Sequence, residues 1–255
     1  MHILALMGSG RKKGNTFRAV QSIEQKLKTL DADLSFEYLY LADVDISACS
    51  GCRVCFDKGE VSCPHKDSVS LIATRLLAAD GVIFASPTYV CTMSGSLKNL
   101  LDRLAYFCHR PAFHGKTALV ITTTATAGAR LAAYTVRLPL GSMGFTVAGS
   151  LGITLNTGNV VSVPEKAVKR LDKLAVKFYQ KAAGKKRNAP TVFSLVSFYM
   201  NREHYHKQPT LDSCDYRYFK SKGWLEPDRK YYTDEKPSLP KVIVARFITF
   251  FMHST

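Results

Sequence analysis

The sequence predicts an α/β protein in which a parallel sheet lies between two layers of helices. Three observations lead there. Gly81-Val-Ile-Phe-Ala-Ser86 and Thr117-Ala-Leu-Val-Ile-Thr-Thr123 are short apolar runs of the kind buried on both faces of a parallel sheet. Such runs alternate with stretches of helical spacing. The first run, Ile3–Met7, passes directly into a glycine-rich turn, Gly8-Ser-Gly-Arg-Lys-Lys-Gly-Asn-Thr16, and then into a helix. A strand, turn and helix in that sequence aim backbone N–H groups and a positive helix end at one spot, where an anionic group binds.

The elements follow in order. Phe17–Leu30 has Val20, Ile23, Leu27 and Leu30 at helical spacing, and Leu34–Leu41 alternates as a second strand. A loop from Ala42 to Lys66 holds four cysteines. Ser68–Ala79 places Val69, Ile72, Leu76 and Leu77 on one helix face. Strand three, Gly81–Ser86, opens into a loop over Pro87–Ser94 and a helix carrying Leu97, Leu100, Leu101 and Leu104. Strand four, Thr117–Thr123, precedes a turn and a helix to about Leu140. Phe145–Leu155 is the fifth strand, and Pro164–Ala183 is a basic amphipathic helix.

Within the first turn, Gly8, Gly10 and Gly14 permit close backbone approach. Ser9, Asn15 and Thr16 add donors, and Arg11 and Lys13 add charge. A Walker loop is excluded, because position 13 is Lys and Gly14 is followed by Asn. A dinucleotide fingerprint is excluded, because it needs glycine at position 13. The remaining pattern, Gly-Ser-x-Arg-x-x-Gly-Asn-Thr after the first strand, resembles the FMN-phosphate loop of the NADPH-dependent FMN reductase and iron–sulfur flavoprotein family. The resemblance implies a flavodoxin-like three-layer sandwich with five parallel strands in the order 2-1-3-4-5 and FMN at their carboxyl ends. It also implies that Ser9, Arg11, Lys13, Gly14, Asn15 and Thr16 hold the phosphate.

Two further stretches carry the likeness. Ser86-Pro-Thr-Tyr, followed by Ser94-Gly-x-Leu-Lys-Asn-x-x-Asp-Arg103, is similar to the family's second flavin loop. By that resemblance Pro87, Thr88, Tyr89 and Met93 contact the ring. Thr123, Thr124, Ala125 and Gly128 resemble the third loop, although such a run also suits an ordinary turn. Lys98 and Asp102 are expected to form an ion pair on one helix face. No Ser/His/Asp or paired-carboxylate arrangement stands out, so no side chain is assigned a catalytic role. Hydride and electron transfer would belong to the flavin, positioned by the protein.

The cysteine loop reads Cys49-Ser-Gly-Cys52-Arg-Val-Cys55, then seven residues, then Cys63-Pro64. Three thiols at two-residue intervals and a fourth nearby suit an iron–sulfur centre. Tetrahedral zinc, which favours two separated pairs, and free or redox-paired thiols also fit. The spacing resembles the motif that holds a [4Fe–4S] cluster in iron–sulfur flavoproteins, implying Cys49, Cys52, Cys55 and Cys63 as ligands. His65, beside the fourth cysteine, suits hydrogen bonding to such a cluster or, as expected, a solvated loop position. A low-molecular-weight phosphatase, similar in topology, is excluded: none of the seven cysteines has Arg six positions later.

A chain of 255 residues accommodates one sizeable domain and an extension. The expected division is residues 1–184 and an aromatic-rich extension, residues 185–255, which holds 13 of the 27 aromatics. The extension is expected either to wrap a second subunit, as a homodimer or homotetramer, or to pack on its own domain. Its apolar run Val242–Met252 is broken by Arg246 and too short to span a bilayer; it suits a helix lying on a membrane surface or, as expected here, one that docks on protein. Absence of a leader pattern and a crowded, odd set of cysteines suggest a cytoplasmic protein. The net charge of +15 is spread along the chain with no nucleic-acid-binding pattern, so it suits phosphorylated cofactors or acidic redox partners rather than nucleic acid.

The resulting expectation is an FMN-dependent oxidoreductase passing electrons between a [4Fe–4S] cluster and FMN, with a ferredoxin-like protein or small oxidant as partner. The alternative is a cluster-free NAD(P)H-dependent reductase of flavin or quinone. A third reading is a non-catalytic FMN-binding protein with a structural cysteine loop.

Overall fold

The structure is a computed structural model that describes residues 1–155, 163–184, 189–207 and 212–253. β1 (His2–Met7), α1 (Asn15–Leu30) and β2 (Ser35–Tyr40) open the chain. The cysteine loop contains one short helix, α2 (Val54–Asp57), and 3₁₀ turns at Leu41–Asp43 and Glu60–Ser62. Next come α3 (Val69–Ala78), β3 (Gly81–Tyr89), β4 (Thr92–Met93), α4 (Gly95–Arg103) and α5 (Tyr106–His109). β5 (Thr117–Thr124), α6 (Ala129–Ser142), β6 (Thr146–Thr154) and α7 (Glu165–Ala183) complete the sheet and its cover.

Five parallel strands lie in the order β2-β1-β3-β5-β6, the arrangement expected, with β4 attached antiparallel to β3. Alternate residues of β1 enter two different cores, as a pleated strand requires. Leu4 and Leu6 pack with α3, α4 and α6, whereas Ile3, Ala5 and Met7 pack with α1 and α7. Two helical positions expected inside, Leu30 and Leu77, are exposed instead. Each stands at or beside the last residue of its helix, where the chain leaves the sheet.

One expected loop is largely a hairpin. β3 continues through Pro87, Thr88 and Tyr89, and pairs Thr88 with Met93 and Tyr89 with Thr92. The two-residue turn, Val90 and Cys91, has both φ values positive (47° and 61°), as the tight turns that match strand twist demand. Period-2 alternation is absent over so short a hairpin, so apolar patterning alone did not reveal it.

The extension forms α8 (Val192–Lys207), α9 (Cys214–Ser221) and α10 (Leu239–His253). The expected boundary at 184/185 adjoins residues 185–188, which lie outside the described residues. Leu195, Phe198 and Tyr205 of α8 gather Phe219, Trp224, Tyr231, Tyr232 and Ala245 into a third core. α8 packs on α5 and α6 of the same chain, and α9 packs on α2. No helix among the described residues is long and apolar enough to cross a membrane.

Candidate functional site

Three loops meet at the carboxyl ends of β1, β3 and β5, where the parallel register aligns Met7 with Ala85 and Pro87 with Thr123. The first loop is tied down at its root, Gly8 N–H donating to Ala85 O at 2.7 Å. A Cβ on Gly8 would sit 2.7 Å from Ser94 Oγ and 3.2 Å from Ala85 O, so only glycine allows β1 to leave the sheet this close to β3. Ser9 is buried and its Oγ accepts from Arg11 N–H. Beyond it Gly10–Lys13 stand in solvent.

α1 begins here with no side chain capping its N-terminus and no acidic residue in its first turn. Its leading N–H groups and positive end therefore face the loop uncompensated. Lys12 turns aside to Asp43, 2.8 Å away. Arg11 and Lys13 form no ion pair with the described residues. Thr16 is buried, its Oγ1 2.8 Å from Thr123 Oγ1, which joins the first loop to the third.

The hairpin supplies the second loop. Pro87 and Thr88 are half-buried, Tyr89 is half-exposed, and Met93 is buried in the core. Thr88 Oγ1 is shielded from solvent with no hydrogen-bond partner among the described residues, an orphaned polar atom in the hairpin. In the third loop Thr123 and Thr124 are buried, Ala125 is exposed, and Thr124 Oγ1 donates to Ala127 O. Gly128 has φ +87°, and a Cβ there would lie 2.8 Å from Cys91 Cα, so the hairpin tip rests directly on this glycine. The structure thus brings together all three sequence-predicted loops.

The cysteine loop lies along α4, which starts at the hairpin. Ser94 caps α4 by accepting from Leu97 N–H, and its own N–H donates to Ser86 Oγ. Further along, the Asn99 side-chain amide donates to Ile46 O and Ser47 O and accepts from Cys49 N–H. Arg103 donates to Ser47 O, to both oxygens of Asp67 (2.6 and 3.2 Å) and, at 3.5 Å, to Cys63 Sγ. The Arg103 and Asp67 side chains are almost wholly buried. Burial alone would push the Asp67 carboxyl up; the hydrogen bonds from Arg103 and from two backbone N–H groups overcome it and hold it at about 2.

Cys49, Cys52, Cys55 and Cys63 all line one cavity of about 470 Å³, with Phe56, His65, Arg103 and Tyr106 among its walls. Cys49 and Cys52 are exposed, and Cys55 and Cys63 are half-buried. Burial and the nearby Cys49 push the Cys55 thiol up to about 11. The Val54 N–H and the Ser50 side chain lower that of Cys52. His65, expected in solvent, is half-buried and turns Nε2 into the wall, shielded and without a hydrogen-bond partner among the described residues.

A second arginine holds the outer side. Arg110 donates to Cys55 O, to Glu60 of the cysteine loop and to Cys214 Sγ, and its Nε lies 3.1 Å from Asp215 Oδ1. His109 Nδ1 meets the other Asp215 oxygen at 2.7 Å. Arg103, Asn99, Asp67, Arg110 and Asp215 were missed as site residues. Arg103 and Asn99 do belong to the Lys-Asn-x-x-Asp-Arg stretch, but no spacing rule connects them to cysteines some fifty residues away. The Lys98–Asp102 pair forms as expected, at 2.6 Å.

Strand order and the meeting of three loops at the switch point define a flavodoxin-like protein. The sequence profile of the NADPH-dependent FMN reductase family matches residues 1–159. An iron–sulfur flavoprotein of Clostridioides difficile (strain 630) is 30% identical over 200 residues, which cover 78% of this chain and 86% of the relative. One from Archaeoglobus fulgidus is 27% identical over 235 residues, 88% of this chain and 100% of the relative. Among solved structures, the flavoenzyme NAD(P)H:acceptor oxidoreductase of Paracoccus denitrificans has the same fold, with TM-score 0.51 and 23% identity over 72% of this chain and 98% of that one. The chain belongs to the NADPH-dependent FMN reductase family and is an FMN-dependent oxidoreductase.

Proposed function

We propose that this protein is an electron-transfer iron–sulfur flavoprotein, with FMN at the three loops and a [4Fe–4S] cluster in the cysteine cavity. The observation that carries the reading is the lining of one cavity by all four motif cysteines, along a helix that starts at the flavin hairpin. Among the described residues no three His, Cys, Asp or Glu side chains are gathered tightly enough for a single metal ion. A cuboidal cluster takes its four thiolates at separated corners, so a wider cavity ringed by four thiols suits it better than it suits zinc.

On this reading Ser9, Gly14, Asn15 and Thr16 present donors to the FMN phosphate, and Arg11 and Lys13 neutralise it. Thr88 donates to the ring's polar edge, with Pro87 shaping that edge and Tyr89 forming a wall. Met93 packs beneath the hairpin, and Thr123, Thr124, Ala125 and Gly128 close the third side. Arg103 offers a positive hydrogen-bond donor to Cys63 Sγ. The bound flavin and cluster supply one- and two-electron chemistry. NAD(P)H is a candidate donor, and a ferredoxin-like protein or small oxidant a candidate acceptor.

Anoxically purified protein tests this by its absorption spectrum, with iron, sulfide and flavin measured on one sample. The reading requires flavin bands, a broad additional shoulder and about four irons per chain. Cys63→Ala should remove the shoulder and keep the flavin. A second reading, a cluster-free NAD(P)H-dependent flavin or quinone reductase, is favoured by the exposure of Cys49 and Cys52, which suits free thiols. Flavin without iron, together with NAD(P)H oxidation that needs an acceptor, would establish it in place of the first.

A further inference from the structure

α10 is attached to the protein by its smallest side chains. Ala245 and Thr249 are buried against α8, Thr249 Oγ1 donating to Ala245 O. At about 100° per residue, Leu239, Ile243, Val244, Phe247, Phe250 and Phe251 fall on the side opposite those two. Each is exposed, Leu239 at 70%, Phe247 at 64% and Phe250 at 68%. The 15-residue helix is about 22 Å long, and its outward face contains no charged side chain. A contiguous apolar face of this size marks an interaction surface rather than ordinary scatter.

Cations border that face. Arg246 stands on one flank, its guanidinium 5.8 Å from the Tyr199 ring, and Lys241 stands on the other, donating to Pro190 O. Beside Arg246 opens a groove of about 630 Å³ whose walls include Arg202, His206, Lys207 and Phe250. Arg202 is held in place by Arg229 O and Glu226 O. The one acidic residue in that wall among the described residues, Glu203, is paired with Lys207 at 2.7 Å. The whole chain carries +15.

We propose that α10 is a membrane-surface anchor: its outward face enters the boundary of an anionic lipid bilayer while Arg246, Arg202, Lys207 and Lys241 meet the headgroups. Large apolar side chains outward with cations at the flanks is the geometry of a helix lying in the interface plane. The helix is too short to span. Charge complementarity selects an anionic surface over a second copy of this chain, because pairing two α10 faces would bring two basic borders together. The assignment depends on neither cofactor and extends the functional reading above.

Sedimentation of the full chain with phosphatidylcholine vesicles, with and without ~30% phosphatidylglycerol, tests this. Binding to the anionic vesicles should exceed binding to neutral ones by about tenfold or more and weaken as salt rises. The triple substitution Phe247→Ser, Phe250→Ser, Phe251→Ser touches only exposed rings, and should lower binding at least ~tenfold with flavin content and melting temperature unchanged. Arg246→Glu should remove the preference for anionic lipid. Failure to bind anionic vesicles overturns the assignment, as does equal binding to both compositions. A dimer by light scattering that the triple substitution converts to monomer also overturns it, and shows the face to be a contact between copies.

Discussion

Thr16 and Thr123 are 107 positions apart in sequence, yet their hydroxyls share a buried 2.8 Å hydrogen bond that fastens the turn after β1 to the end of β5. The bond closes the floor of the candidate flavin site. The Thr16 hydroxyl is thus engaged by the scaffold at the site's floor.

That bond gives a double-mutant cycle. Thr16→Val or Thr123→Val alone leaves a buried hydroxyl without its partner and should cost about 1–2 kcal/mol. The double variant should recover about 1 kcal/mol relative to additivity. Urea unfolding of the flavin-free protein measures all four states. Additive losses would mean that the two hydroxyls do not depend on one another.

The Arg103–Asp67 pair ties the cysteine loop to α4. Arg103→Met leaves a buried carboxylate unpaired and should cost about 3–5 kcal/mol. The pair also sets an acid dependence. The Asp67 carboxyl lies at about 2 in the folded chain against an ordinary 3.8. A lowered folded value adds stability that is complete above the unfolded value and disappears as pH falls from about 4 to about 2. The size is roughly 2 kcal/mol. Wild type and Asp67→Asn, compared by urea unfolding, should therefore differ most above pH 4 and converge below it. A constant difference across that range would contradict the assignment.

The hairpin tip carries strain. Val90 is β-branched, 97% exposed and held at φ 47°, where such a side chain is rarely found. Asn tolerates this region, and nothing buried is lost on replacement. Val90→Asn should stabilise the protein by about 1 kcal/mol. If chemical denaturation shows no gain or a loss, the turn is not strained as described.

The sheet could be read from the sequence because its strands are short, apolar and bounded by turns, and because each crossover is local. The glycine-rich turn and the cysteine spacing stand out in the sequence for the same reason, since each pattern is confined to neighbours in the chain. Arg103 illustrates what was hidden. Its partners Ser47, Cys63 and Asp67 lie 56, 40 and 36 positions upstream, and an arginine near the end of an amphipathic helix carries no local sign of burial. His65 differs similarly, because loop composition indicates solvent while the fold shields Nε2 within a cavity wall. The extension's aromatics signalled packing, but the choice of small residues for the inward side of α10 becomes visible only once α8 is in place.

α4 has a consequence for how this chain can vary. Ser94 fixes its first turn at the hairpin, and Asn99 and Arg103 grip the cysteine loop five and nine residues later. One residue inserted between those points would swing Arg103 by about 100° and advance it about 1.5 Å along the axis, moving its guanidinium off Asp67 while the hairpin stayed where it is. The interval from Ser94 to Arg103 is thus closed to insertion and deletion, even though several side chains along it face open water.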